Sequence, residues 1–240
     1  MKKRKPYFSC KKRCPFPYTT TMAEATEAMR QTVASMLRGI ERYNPENIHT
    51  LERYVELQAR DNGYDLEANL ALLKLYQFNP TTYQPNIACL ILLKALTNLP
   101  HTDFVLCKCL LGQDQMEDAN IKKIMYLHDL LEMCQFQTFW KEKSQYNKLI
   151  SGIKDFSDSI RKYVCHVTSI TYQNIEKPVL QQLLGGIDEA SLQGWMTKYG
   201  WKETEEGLVA IASQEDTVKT KNITEKIDFD SVAGIMAACR

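Results

Sequence analysis

From Asp65 to Pro80 the chain reads DLEANLALLKLYQFNP. Leu66, Leu70, Leu72, Leu73, Leu75 and Tyr76 place apolar side chains nearly all round a helix, a pattern expected where neighbours flank it on several sides. Asp65 stands where a carboxylate can cap the free amides of the first turn. Asn79-Pro80 stops the helix, because proline has no amide hydrogen and restricts the residue before it. A central helix of this kind needs others to cover it.

Those others are legible on both sides. Upstream, Asn44-Pro45-Glu46 marks a helix start: Asn44 can cap, Pro45 is preset for the first helical position, and Glu46 suits the positive end of the dipole. Ile48, Leu51, Tyr54, Val55 and Ala59 then recur at helical spacing, and Gly63 is expected to close that helix. Downstream, Ile87 to Leu99 predicts a strongly apolar helix ending before Pro100. Another runs from Asp103 to Leu111 and stops near Gly112. Ile121, Ile124, Met125, Leu130 and Leu131 continue the pattern, and Phe136, Phe139 and Trp140 add aromatic bulk. Antiparallel helix pairs stacked in this way make an α-solenoid, so residues 23–152 are expected to form a HEAT-like helical repeat domain. No tetratricopeptide consensus is legible.

After Gly152 the pattern changes. Ser157 can cap a long helix striped by Ile160, Tyr163, Val164, Val167 and Ile170. Two short helices follow: Pro178 to Leu184, closed by Gly185-Gly186, and a second capped by Asp188 that runs through Leu192, Trp195, Met196 and Tyr199 to a stop at Gly200. Trp201 to Glu203 and Leu208 to Ala212 read as strands around the turn Glu205-Glu206-Gly207. Helix, turn, helix and hairpin predict a winged helix over 153–213. Residues 214–240 read as a charged linker and a terminal helix. The fold class is therefore mainly α, a helical repeat domain followed by a winged helix.

Of the 240 residues, 44% are hydrophobic and 25% charged, which excludes disordered, collagenous and disulfide-scaffold classes. The longest apolar run, Ile87 to Leu93, falls far short of the roughly 20 residues of a spanning helix, and no membrane partner is expected. Net charge is +1, yet seven bases and no acid precede Glu24, leaving 23 bases against 29 acids, or −6, in the remainder. Residues 1–22, basic and broken by Pro6, Pro15 and Pro17, read as a disordered tail, as a leader upstream of a start at Met22, or as a nuclear-localisation patch. No secretory leader is expected, and the eight scattered cysteines read as reduced thiols of an intracellular protein.

No catalytic, cofactor-binding or metal-ligating set is expected. Cys107-Lys108-Cys109 beside His101, and Cys10 with Cys14, lack a second ligand pair, and residues 107 and 109 point to different sides of a helix. Cys165 and His166 are neighbours about 100° apart on a helix, poor geometry for a nucleophile and its base. His128, in an apolar helix, reads as a hydrogen-bonded core or rim histidine. Direct nucleic-acid binding is disfavoured on charge, since from Glu176 to Glu206 six acids face three bases and Asp188 and Glu189 lead the second helix of the motif. Protein contact is the remaining use. Leu208, Val209 and Ile211 would offer a strand if it lies at a sheet edge. Phe229, Val232, Ile235 and Met236 would offer an apolar helix face.

The segments Arg42 to Asn47, Tyr64 to Pro80, Ile91 to Phe104, Cys107-Lys108-Cys109, Lys198-Tyr199-Gly200-Trp201 and Asn222 to Val232 carry a resemblance running from about Glu27 to the end of the chain. The chain resembles the PCI proteins, scaffold subunits shared by the proteasome lid, the signalosome and eukaryotic translation initiation factor 3, and is most similar to the initiation-factor branch. The resemblance implies no catalysis and no cofactor. It implies a cytoplasmic protein placed among the other PCI subunits of initiation factor 3, beside subunit l, which reaches the small ribosomal subunit and mRNA through the complex. The alternatives are a small PCI subunit of the proteasome lid or signalosome, or a nucleic-acid-binding winged-helix protein.

Overall fold

The computed structural model describes residues 22–204, 207–211 and 229–238. The basic stretch 1–21, the turn Glu205-Glu206, Ala212 and most of the segment expected as a charged linker lie outside the described residues. The chain divides into two compact units, 1–164 and 165–240.

The first unit is helical. In chain order its helices are α1 (Met22–Met36), α2 (Ile48–Asp61), α3 (Leu66–Phe78), α4 (Pro85–Leu96), α5 (Asp103–Cys109), α6 (Gln113–Met116), α7 (Ala119–Glu132), α8 (Phe136–Lys143), α9 (Asn147–Ile150) and the start of α10 (Phe156–Thr171). Helix α2 packs on α1, α3 and α4; α3 also meets α4 and α5; α4 packs on α5 and α7; and α7 meets α8. Helices α2 and α3 each touch the next helix and the one beyond it, and α4 reaches past α5 to α7, the nearest-neighbour connectivity of a solenoid. The deepest helix is α4, where Ile91, Leu92, Leu93, Ala95 and Leu96 have no exposed surface. Burying each of its large aliphatic side chains is worth about 1.5–3 kcal/mol. Helix α3 is covered by α2, α4 and α5, as its all-round apolar pattern requires.

Side-chain caps set the helix starts. Asn44 accepts a hydrogen bond from the Glu46 amide at 3.1 Å, with Pro45 opening a short 3₁₀ turn before α2. Asp65 accepts from the Ala68 amide at 3.1 Å at the head of α3, and Asp118 from the amides of Asn120 and Ile121 at the head of α7. One expectation is corrected. Helix α2 is closed by Asn62 in a left-handed conformation, φ 56°, and not by Gly63. Asparagine tolerates that conformation better than most residues, and here its side chain is used as well. The Lys94 ammonium, 2% exposed, donates to Asn62 Oδ1 at 3.3 Å, and Asn62 Nδ2 donates to Asp155 Oδ2 at 3.4 Å. Burial pushes the Lys94 pKa below the usual lysine range, against the pull of Asp155. A glycine could close the turn, but it could not satisfy this buried cation.

The second unit holds the rest of α10, then β1 (Asn174–Glu176), α11 (Lys177–Leu183), α12 (Glu189–Tyr199), β2 (Lys202–Glu203), β3 (Leu208–Ala210) and, at its end, α13 (Phe229–Ala238). Pro178 lies in the first turn of α11. Asp188 caps α12 through the Ser191 amide, and Gly200 closes it at φ 73°. Three antiparallel strands in the order β1-β3-β2 complete the winged helix, with Val209 opposite both Ile175 and Glu203. Leu180, Leu184, Leu192, Met196, Ile175 and Trp201 form its core.

Candidate protein-interaction surfaces

The wing corrects the sequence reading of its hairpin. Strand β1, where the sequence reading assigned no element, pairs with the outer side of β3, so β3 is the centre of the sheet and presents no free edge. The Ile211 amide is likewise taken, donating to the Gln173 carbonyl at 2.8 Å. Val209 is fully buried, Ile211 is buried and Leu208 half-buried. These three side chains hold the wing together and leave little for a partner. The open edges among the described strands belong to β1 and β2.

Helix α13 is different. Val232 is 37% exposed and Met236 70%; four residues apart, they share one helix face. Phe229 and Ile235 lie on the same helix, but their side chains are outside the described residues.

Further apolar surface was missed by sequence reasoning. Ile40, Tyr43 and Phe78 are exposed, the rings of Tyr43 and Phe78 lie 6.2 Å apart, and the Arg42 guanidinium sits 6.0 Å from the Tyr43 ring centre. A cleft of about 250 Å³ lined by Arg42, Tyr43, Leu70, Ala71, Lys74 and Leu110 adjoins it. On α5, Val105 and Leu106 are exposed while Phe104 and Cys107 are buried. The signal was present: four consecutive apolar residues on a short helix cannot all face inward.

Charge on the wing is internally compensated. Lys177 pairs with Glu189 and, at 2.9 Å, with Glu203, linking α11, α12 and β2. These hydrogen bonds push the Lys177 pKa up and the Glu203 pKa down. On α12 the only base, Lys198, lies 4.9 Å from the Trp195 ring centre, and Trp195, Tyr199 and Trp201 form a stacked series. Nothing in this arrangement segregates positive charge for a phosphate backbone.

The titratable groups weighed for chemistry are placed as follows. Cys107 is buried and Cys109 exposed, on different sides of α5. Burial pushes the Cys89 thiol up to about 11 and those of Cys107 and Cys165 up to about 12. At neutral pH all three are held as thiols, not as the nucleophilic thiolate. Cys165 is buried while His166 is exposed. Cys10 and Cys14 lie outside the described residues. His128 departs from expectation: it is buried and stacked on Phe104, ring centres 4.0 Å apart and planes within 10°, but its Nδ1 has no hydrogen-bond partner.

A series of packed helices followed in the chain by a winged helix defines the mainly helical architecture of PCI-type proteins. The family model for the CSN8/PSMD8/EIF3K family matches residues 82–222. Eukaryotic translation initiation factor 3 subunit K of Xenopus laevis is 58% identical over 212 residues, covering 88% of this chain and 97% of that protein. The Homo sapiens subunit K is 57% identical over the same length, and that of Bombyx mori 57% over 219 residues, 91% of this chain and 99% of that protein. The chain belongs to the CSN8/PSMD8/EIF3K family.

Proposed function

We propose that the chain serves as the k-type subunit of the eukaryotic translation initiation factor 3 complex. It acts without catalysis, as a scaffold whose protein contacts help bring the small ribosomal subunit and mRNA into the initiation complex. The observation that carries this reading is the match at 58% identity across 88% of this chain and 97% of a relative that bears that name. The finer parts are that its neighbours are the other PCI subunits of the factor, subunit l foremost, that it works in the cytoplasm, and that it reaches the ribosome through the complex. The buried, protonated thiols and the wing's self-compensated charge support contact over chemistry and over direct nucleic-acid binding.

The exposed face of α13 supports a docking role for Val232 and Met236, with Phe229 and Ile235 as the same helix's further apolar residues. Affinity purification of the tagged full chain from cells at low salt tests the reading. Subunits of initiation factor 3, with subunit l among the most abundant, are the expected companions; proteasome-lid or signalosome subunits in their place would overturn it.

A further inference from the structure

On α7 the buried His128 turns its unpartnered Nδ1 toward two carboxylates of its own helix, 3.5 Å from Asp129 Oδ1 and 3.8 Å from Glu132 Oε2. The three donor atoms all lie within 4.8 Å of one another. These separations are too long for hydrogen bonds, which run to about 3.2 Å. They suit ligands that share an ion: two donors about 2.0–2.1 Å from a tetrahedral zinc stand about 3.4 Å apart. Phe104, stacked against its face, holds the plane of the ring. The His128 side chain is 7% exposed, whereas those of Asp129 and Glu132 are 55% and 68% exposed, so an ion can enter from the carboxylate side.

We propose that His128, Asp129 and Glu132 form a binding site for a divalent transition metal, with Zn²⁺ the ion that best suits one imidazole and two carboxylates. The fourth position is left to water or to a donor from a partner. Sequence reasoning, which weighed metal sites through cysteine spacing, passed over this His-Asp-x-x-Glu set. The site rests on side-chain geometry and does not depend on the assembly proposed above.

The test uses the full chain, stripped with chelator and dialysed, titrated with Zn²⁺ by calorimetry and with Co²⁺ by absorbance. One equivalent should bind. Glu132→Gln and Asp129→Asn, both at exposed positions, should each weaken binding at least about tenfold, with melting in chelator unchanged. The Co²⁺ spectrum should lack thiolate-to-metal charge transfer. Absence of Zn²⁺ binding at micromolar concentration, binding indifferent to both substitutions, or a thiolate band placing the ion on cysteines would each overturn the proposal.

Discussion

Strand β3 and helix α13 are both short apolar segments near the end of the chain, and they meet opposite fates. In β3, Val209 faces the wing's core and both flanks of the strand are hydrogen-bonded, by β1 and β2. In α13, Met236 is largely exposed and Val232 a little over a third exposed. Apolar content alone does not mark an interface; what matters is whether the segment's own unit has enough elements to cover it. The wing supplied a third strand for β3, and its edge was lost as a docking surface.

The sharpest way to break this comparison is Val209→Asp. An unpaired carboxylate in the wing core costs several kcal/mol, on the order of 3–5 by analogy with a stranded buried charge. Circular dichroism melting should show the second unit destabilised or unfolded. If the variant melts like the wild type, β3 is not the core strand. Leu92→Ala gives the corresponding measure for the helical unit. With no exposed surface on α4, it should lose about 2–5 kcal/mol in urea denaturation.

A third prediction reads the covered thiols by pH. Burial pushes Cys89 up to about 11 and Cys107 and Cys165 up to about 12, from an ordinary thiol value of 9.0. Above pH 9 the unfolded chain loses these protons while the folded chain keeps them, so the unfolded state binds fewer protons and stability falls as pH rises. Stability from these groups is fully present below pH 9. Each thiol contributes a slope of about 1.4 kcal/mol per pH unit between 9 and its folded value. Cys107→Ala should make the alkaline decline shallower by about that amount, which urea denaturation between pH 9 and 11 reads.

What could be read from the sequence was local. Caps at Asn44, Asp65 and Asp188 and the stop at Gly200 need only a few neighbouring residues, and each was legible. Asn62 was not, because its role depends on Lys94, which lies on another helix and needs the Asn62 carbonyl. Nor was β1: Asn174-Ile175-Glu176 carries a single buried side chain, too short for an alternating pattern, and becomes a strand only because β3 has an open flank beside it. That one omission left it open whether β3 lay at an edge or in the middle of the sheet. Val232 and Met236 could be placed on one helix face from their spacing, whereas Tyr43 and Phe78 come together only through tertiary packing. His128 reads from sequence as a hydrogen-bonded core or rim residue; that it is buried, stacked on Phe104 of another helix and unpartnered at Nδ1 is set by tertiary packing, which spacing within α7 cannot show.

The smallest expected effect on stability belongs to α13, and it bears most directly on the central claim that the chain works through protein contact in initiation factor 3. The measurement is co-purification of tagged full-length Val232→Asp/Met236→Asp from cells at low salt, beside the wild type, with melting of each isolated protein. Surface changes of this kind are usually worth within about 0.5 kcal/mol, so the two melting curves should coincide. The wild type should bring down the other subunits of the factor and the double variant should lose them. Equal recovery of those subunits by wild type and variant, with both folded, would contradict the docking role of α13; failure of the wild type to recover them at all would contradict the scaffold account itself.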